Sequence, residues 1–362
     1  MGLSRQVESF KAPPRKLPGK IIAFQRKLMD FHDEVAILES GPVTPGVKRM
    51  MLTGKRRLEK AYSAIVPEVR RLEEAGVLFR YLSRFWEAVS ADIIKRGSIE
   101  GCPILVVCNP DRVTPGPEKE QPYRAHYTPP DRGMGTEEDI VLYASFYPEV
   151  VRAVPNNTID TETLRKAYWE NCDLMDVIPL IPEGISERAK LAIGAYKLMS
   201  PEFFGMGAER LSDQKLFESL IHELTHLIHS REAGGAIFPE GCSPEDEAVI
   251  RLSAEMLAHA SVLLYSNYPR PTLGSLLAGQ LTPKPSNESS RIIDFFNLQL
   301  LGSSPPDFQE ILPHYLALSP EDIREIAGAL LDSVSDSLFS KPWAEVAPEP
   351  AYEEAKNLVF GE

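Results

Sequence analysis

The residues best suited to chemistry in this sequence lie in the stretch LFESLIHELTHLIHSREAGG, at positions 216–235. His222 and His226 are four residues apart, so on a helix their side chains share one face, about 6 Å apart. Two imidazoles at that spacing can bind one cation, with metal–nitrogen distances of about 2 Å. Glu223 would point beside the metal, where a carboxylate can hold and deprotonate a water molecule. The sequence therefore contains the H-E-x-x-H pattern, which indicates a zinc site built for hydrolysis.

The residues around the motif favour a metal site over an ordinary helix that happens to carry two histidines. Apolar residues recur at helical spacing through this stretch, as expected of a half-buried helix: Phe217, Ile221, Leu224 and Ile228. Histidines left without partners on such a helix would cost about 1–3 kcal/mol each. We expect Ser212 or Asp213 to cap the helix, and Gly234 and Gly235 to end it.

Together with an acidic helix predicted downstream, the HELTH segment resembles the zincin metallopeptidases. The resemblance implies a Zn²⁺ ion held by His222 and His226, with Glu223 as the general base. It also implies a strand ahead of the motif, for which we predict residues 190–200, where an extended peptide substrate would pair through its main chain. The segment is also similar to the metallopeptidase-like domains of antirestriction and phage-repressor-cleaving proteins.

The metzincin branch of that family would place the third zinc ligand at Glu232. That branch has a glycine three residues before the ligand, which permits a sharp turn back to the metal. Here the position is occupied by His229, which cannot turn in that way without strain. His229 lies about 10 Å along the helix axis from His222, so we predict an exposed or substrate-side group and no role as a ligand of the same metal.

The glutamate-zincin branch instead takes a Glu from a following helix, and residues 243–265 are predicted as that helix, capped by Ser243. The tripeptide DEA at 246–248 resembles the context of that branch's ligand and makes Glu247 the preferred choice. That branch often has an Asp four residues later, where this sequence has Arg251. Three other acidic residues of the helix stay open as ligands: Glu245, Asp246 and Glu255.

The function predicted from this resemblance is zinc-dependent hydrolysis of peptide bonds by a metalloendopeptidase, acting on a peptide or protein. The alternative is a regulatory or binding protein, in mobile-element or host-defence biology, in which a zincin fold persists without catalysis. Glu223 distinguishes them, because hydrolysis needs a base beside the zinc and a structural zinc site does not. Four residues are candidates for stabilising the oxyanion: Tyr196, His229, His259 and Tyr265.

The elements that must position these residues indicate a helix-rich α+β protein with a small mixed sheet. Residues 1–45 are predicted as a flexible basic arm, and 46–180 as an N-terminal α+β region. Residues 181–338 are predicted as the zincin-like domain, with the active-site helix followed by a glutamate-bearing helix. Residues 339–362 are predicted as a tail.

Finer patterns predict the local structure. Residues 55–97 have apolar positions at helical spacing and are predicted as mostly helical, with Pro67 and Gly76 as candidate interruptions. PILVVCNP at 103–110 is typical of a buried strand. The Pro- and Gly-rich stretch 109–137 predicts a long loop or a boundary between regions. Residues 160–170 are predicted as a helix, and Ser-Pro-Glu-Asp at 319–322 indicates the start of another.

Charge and cysteine content limit the partners and the compartment. Residues 1–60 carry 13 Lys and Arg against 6 Asp and Glu, a balance of +7, so the net charge of −13 leaves −20 on the rest. An acidic body argues against nucleic acid except through the basic arm. The sequence predicts no membrane span and no secretory signal. The four cysteines form no C-x-x-C pair, and we expect a cytoplasmic protein with reduced thiols.

Overall fold

The computed structural model describes residues 16–39, 44–82, 87–113, 125–129, 138–144, 199, 202, 206–235, 242–280, 286–303, 308–347 and 349–361. They fall into two compact units, divided between residues 146 and 147. The described elements confirm a helix-rich α+β protein with a small mixed sheet. The boundary predicted at residue 180 and the helix predicted over 160–170 lie outside the described residues.

The described part of the N-terminal unit consists of helices followed by a five-stranded sheet. The helices are α1 (Gly19–Glu39), α2 (Pro45–Ser63) and α3 (Val66–Glu74). The strands are β1 (Val77–Leu82), β2 (Glu87–Ile99), β3 (Cys102–Val113), β4 (Ala125–Thr128) and β5 (Asp139–Tyr143). The strand order is β1-β2-β3-β5-β4, in which β3 and β5 run parallel and the other neighbours antiparallel.

Three predictions for this unit were wrong in part. The helical prediction over 55–97 holds only to the end of α3, because Gly76 (φ 87°) starts a turn into β1. The strand β1 is buried on both faces, with Leu78 and Phe79 each 0% exposed. Its apolar residues therefore do not alternate with polar ones, and the sequence showed no strand pattern there. The predicted loop 109–137 contains β4, and the predicted arm contains α1, whose apolar residues pack into the core.

The core of this unit lies on both faces of the sheet, because successive strand residues point to opposite sides. One face packs against α1, α2 and α3 through an aromatic cluster of Phe24, Tyr62, Phe79 and Tyr81. The other face forms a second cluster of buried residues: Leu78, Val89, Ala91, Leu105, Val107, Val141 and Tyr143. The predicted buried strand is confirmed as β3, with Cys102 and Cys108 as buried free thiols.

The C-terminal unit is helical throughout its described residues. Its helices are α4 (Ala208–Glu232), α5 (Pro244–Tyr265), α6 (Pro269–Gln280), α7 (Asn287–Leu301), α8 (Phe308–Ala317), α9 (Pro320–Phe339), α10 (Trp343–Val346) and α11 (Glu349–Phe360). Helix α5 packs against α4, α6, α7 and α9. It is the one helix among the described residues that is long and apolar enough, by length and composition alone, to cross a membrane.

Helix caps in this unit follow the sequence predictions at two points. The Ser243 hydroxyl accepts from the Asp246 backbone N–H at the start of α5, and Ser319 forms a capping box with Asp322 at the start of α9. The predicted tail was wrong, because α10 and α11 lie in it and bury Trp343, Tyr352 and Ala355.

Candidate metal centre

Helix α4, which carries the motif, is longer and more buried than its sequence pattern suggests. It begins at Ala208, so Ser212 and Asp213 lie inside it as buried residues, and neither is its cap. Its predicted end is confirmed, since Gly234 and Gly235 follow it with positive φ. The residues predicted as its buried stripe are all buried: Phe217, Ile221, Leu224 and Ile228. This burial fixes which face of α4 presents the histidines.

A polar network anchors the first half of α4 to the junction of α5 and α6. The carboxylate of Glu218, 7% exposed, accepts from Gln214, Ser266 and Thr272 at 3.0–3.2 Å, and Lys215 lies 3.2 Å from its second oxygen. Such a charge is tolerated in the interior because it is fully hydrogen-bonded. The network therefore sets α4 in register with α5.

The second half of α4 is fixed on another side by α11. Thr225, 0% exposed, lies with its hydroxyl 3.3 Å from the Tyr352 hydroxyl. The Tyr352 ring stacks on Tyr265 of α5, with 3.8 Å between ring centroids. Helices α4, α5 and α11 are thus tied together within two turns of the histidines.

Three side chains converge where α4 and α5 pack together. The Nε2 atoms of His222 and His226 are 3.1 Å apart. The Glu255 Oε2 atom, from α5, lies 3.4 Å from the first Nε2 and 3.7 Å from the second. The side chains are 21%, 17% and 37% exposed, so the group is half-buried with one side open to solvent. Among the described residues, this is the group of His, Cys, Asp or Glu side chains whose potential ligand atoms lie close enough together, all within 4.8 Å of one another, to hold one metal ion.

The separations of the three donor atoms fit a single zinc ion. With zinc–ligand distances of about 2.0–2.1 Å, two donors of a tetrahedral site lie about 3.3 Å apart. The three observed separations, 3.1, 3.4 and 3.7 Å, bracket that value. Two imidazole nitrogens and one carboxylate oxygen are also ligands that zinc accepts. If these three residues bound zinc, one of the four positions of a tetrahedral ion would remain for water or substrate.

The protonation of Glu255 suits this arrangement. Burial raises the pKa of the Glu255 carboxyl, but hydrogen bonds and positive charge from His222 and His226 outweigh it and hold the pKa well below its ordinary value. This shift belongs to protonated histidines, whereas a bound metal requires both imidazoles in their neutral form and would itself keep the carboxylate ionised.

The structure does not bring Glu247, the ligand preferred from the sequence, to the histidines. Its carboxylate pairs with Arg251, one turn along α5. Eight residues separate it from Glu255, which corresponds to about 12 Å along the helix axis. Glu245 and Asp246 lie in the first turn of α5, exposed, where their charge suits the helix N-terminus. Glu255 takes the position because it sits in the second half of α5, beside the motif.

A signal for Glu255 is present in the sequence. It is the only Asp, Glu, Lys or Arg between Arg251 and the end of α5, in a half-helix that is otherwise almost entirely apolar. A charge in a buried half-helix is expensive without a partner, which marks Glu255 as a residue with a specific role. The chemical context of DEA drew attention to the exposed end of the helix instead.

Two residues of α4 beyond the motif are now placed. Glu232 forms an ion pair with Lys341 and takes no part in the cluster. His229 is not exposed as predicted: it is 2% exposed, its ring packs against Phe339, and its Nδ1 has no hydrogen-bond partner among the described residues. Burial, with a smaller contribution from His226, lowers the pKa of His229 to about 4. It is a neutral core residue.

The structure describes three of the four residues predicted as candidates for oxyanion stabilisation, and one of the three adjoins the cluster. Tyr265 stacks on Tyr352, about 15 Å along α5 from Glu255, and burial raises its pKa to about 12. Tyr196 lies outside the described residues, as does the predicted strand 190–200 except Met199, which is helical. His259 is the candidate that adjoins the cluster, with its ring centroid 4.9 Å from that of His222. It lies one turn after Glu255, on the same face of α5.

Glu223 is the residue predicted from the sequence as the general base. It follows His222 directly and is half-buried on α4. His222, Glu223 and His226 are all partly exposed on α4, and the neighbouring helix supplies Glu255 beside the two histidines.

Comparison of the chain with protein-family models, with curated proteins and with solved structures gives no match.

Proposed function

We propose that this protein is a zinc-dependent metallopeptidase of the glutamate-zincin type, in which His222, His226 and Glu255 bind Zn²⁺ and Glu223 is the general base. The observation that carries the proposal is the convergence of three donor atoms at separations of 3.1–3.7 Å. Zincin-like packing of a motif-bearing helix against a glutamate-bearing helix is proposed with it, on the pair α4 and α5.

The choice of zinc follows from the donors. Imidazole nitrogens favour zinc and other transition metals over Mg²⁺ and Ca²⁺, which prefer all-oxygen sites. Structural zinc sites are usually closed by four protein ligands, whereas catalytic sites use three and keep one position open. The set of His222, His226 and Glu255 has the catalytic number.

The chemistry assigned to the chain's own residues is proton transfer. Bound zinc would supply the Lewis acidity that makes water a nucleophile near neutral pH and polarises a carbonyl group. The Glu223 carboxylate accepts a proton from the attacking water and returns it to the leaving amine nitrogen. His259, beside His222, orients that ring and so stabilises its ligand geometry.

The substrate proposed with this chemistry is a peptide or protein, and the proposed compartment is the cytoplasm. The free thiols of Cys102, Cys108 and Cys242 support a reducing compartment.

The experiment that tests the activity is cleavage of a diverse peptide library by the full-length, zinc-loaded protein, followed by mass spectrometry. We expect Glu223→Gln to lower the cleavage rate by about 10²–10⁴-fold, since it removes the general base, while zinc content stays at the wild-type value. Glu232→Gln is the matched control, because the same change is made on the same helix at a residue paired with Lys341.

Two results would contradict the assignment. Cleavage by Glu223→Gln at the wild-type rate would remove the role of that residue. Zinc-loaded wild-type protein that cleaves nothing in the library would favour the alternative, a binding protein with a zincin-like site.

A further inference from the structure

Helix α2 has a strongly basic surface that the proposed peptidase chemistry does not use. The helix contains six Lys and Arg residues against one acidic residue, Glu59, a balance of +5 in a chain whose net charge is −13. Glu59 lies 3.8 Å from Lys55. The other five basic residues have no ion-pair partner among the residues that the structure describes: Lys48, Arg49, Arg56, Arg57 and Lys60.

Other basic side chains of the N-terminal unit do have acidic partners. Lys20 pairs with Glu68, and the buried Arg80 pairs with Asp139. On α2, by contrast, positive charges lie one turn apart with no negative charge between them, and like charges at that spacing repel one another. An anionic partner from outside the described part of the chain would relieve this repulsion.

The cations lie on the side of α2 that faces away from the core. Leu58 and Tyr62 are buried, at 4% and 1% exposed. At about 100° per residue, Arg49, Arg56 and Lys60 point within about 40° of one another and opposite to Leu58. All three are exposed, and they follow one line along about 17 Å of helix. These three residues are called the basic stripe below.

The exposed apolar residues of α2 do not form a face for binding a membrane. Met50 and Leu52 are 60% and 59% exposed, but on a helix they point about 160° apart, with the basic stripe between them. A helix that lies in a membrane interface has the reverse arrangement, in which an apolar face is flanked by cations. The arrangement on α2 therefore favours a water-soluble polyanion over a lipid surface.

The composition of this face favours duplex DNA among the polyanions. Single strands are bound by stacking their bases on exposed aromatic side chains, and the one aromatic residue of α2, Tyr62, is buried. Duplex RNA has a deep, narrow major groove, whereas the DNA major groove, about 12 Å wide, admits a helix. Two of the three cations of the basic stripe are arginines, which bind phosphate oxygens in a bidentate manner.

We infer that the basic stripe of α2, flanked by Lys48 and Arg57, binds duplex DNA through its phosphates. Phosphate contacts carry no sequence information, so the binding is independent of base sequence and falls as salt rises. Residues 61–362 carry a net charge of −20 and repel DNA. The contact is therefore confined to the basic N-terminal part of the chain.

The test is the fluorescence anisotropy of a labelled DNA duplex, titrated with the full-length protein at several KCl concentrations. The logarithm of the affinity should fall linearly with the logarithm of salt concentration, with a slope of about −3 to −5 for three to five phosphates contacted. Between about 50 and 200 mM KCl, that slope corresponds to a loss of affinity of about 10²-fold.

Two variants locate the binding surface. The triple variant Arg49→Gln, Arg56→Gln, Lys60→Gln keeps good helix formers at exposed positions. We expect its affinity for the duplex to fall about tenfold or more and its salt slope to shrink by about three. The double variant Arg49→Lys, Arg56→Lys keeps the charges and should bind within about threefold of wild type.

The matched control is the triple variant Arg210→Gln, Arg291→Gln, Lys356→Gln. It removes the same number of positive charges from the C-terminal unit, so it separates a local effect from a change in net charge. We expect it to bind the duplex within about threefold of wild type.

Competition experiments distinguish DNA from other anions. The competitors are a single strand of the same sequence, vesicles of phosphatidylcholine and phosphatidylserine, and polyglutamate, each at the same concentration of negative charge as unlabelled duplex. We expect unlabelled duplex to displace the labelled duplex most effectively. The proposal is overturned if the duplex does not bind at about 50 mM KCl, if any other anion competes as well as the duplex, or if the variant of the basic stripe and its matched control bind alike.

Discussion

The two charged clusters of this protein differ in how their charges are satisfied. In the N-terminal unit, Arg80 is buried and paired with Asp139 and Glu73, carboxylates that balance its charge. In the C-terminal unit, two histidines and Glu255 point at one another, half-buried, with donor atoms at metal-ligand separations. The first cluster is held together by opposite charges, whereas the second brings together three groups that each offer a lone pair to a cation. If the second cluster binds a metal as proposed, the two clusters should respond in opposite ways to the same perturbations.

The largest expected difference is the response to zinc. A ligand that binds only the folded state stabilises it by about 4 kcal/mol when its concentration is 1,000 times Kd. We expect zinc to slow hydrogen exchange strongly in peptides from α4 and α5, measured by mass spectrometry, and a chelator to reverse the effect. Peptides from β1 and β5, which carry Arg80 and Asp139, serve as the control. Equal protection of both regions, or of neither, would contradict a specific site in the C-terminal unit.

The second difference appears when one carboxylate is removed from each cluster in metal-free protein. Asp139→Ala leaves Arg80 buried with Glu73 alone and should destabilise the N-terminal unit by about 3 kcal/mol. Glu255→Gln, at a residue 37% exposed, should change stability by less than about 1 kcal/mol. Labelling of the buried thiols Cys102 and Cys108 in increasing urea measures the first effect, and hydrogen exchange of α5 measures the second. A larger loss from Glu255→Gln would mark its cluster as structural.

These two clusters also show what the sequence could predict. The pair His222 and His226 is local, because four residues on a helix fix both spacing and face. The caps at Ser243 and Ser319 are local for the same reason, and the structure confirms both. The partners of Arg80 are not local: Asp139 lies 59 residues away, on a strand whose pairing the sequence does not reveal.

Glu255, the proposed third zinc ligand, lies between these cases. The helix that supplies it was predicted with its cap and its end, but its axial register against α4 is set by tertiary contacts. The network of Glu218 with Gln214, Ser266 and Thr272 fixes that register through residues 48–54 positions apart. For that reason the sequence favoured Glu247, whereas the packed helices bring Glu255 to the histidines. The same limit explains β1, where burial on both faces hid the alternation that identifies a strand.

A smaller effect is expected at His259, whose ring contacts that of His222 in the proposed metal site. Residues that orient a metal ligand typically contribute 10–100-fold to metal affinity. We expect His259→Ala to weaken zinc binding by about that factor in competition with a chromophoric chelator, and to leave labelling of Cys102 and Cys108 unchanged. His229→Ala is the control, because that ring packs against Phe339 away from the cluster. Equal losses from both variants would show a general effect of shortening a histidine.

The most direct measurement is the zinc content per chain of three purified full-length proteins, by elemental mass spectrometry after zinc loading and removal of free metal. We predict about one zinc per chain for wild type and for Glu247→Gln, and a large loss for Glu255→Gln, because among the described residues Glu255 alone completes a three-ligand site with the two histidines. If wild-type protein retains no zinc, His222, His226 and Glu255 form only a hydrogen-bonded cluster between two packed helices, and the proposed metal site is wrong. Loss of zinc from Glu247→Gln with retention in Glu255→Gln would contradict the ligand assignment.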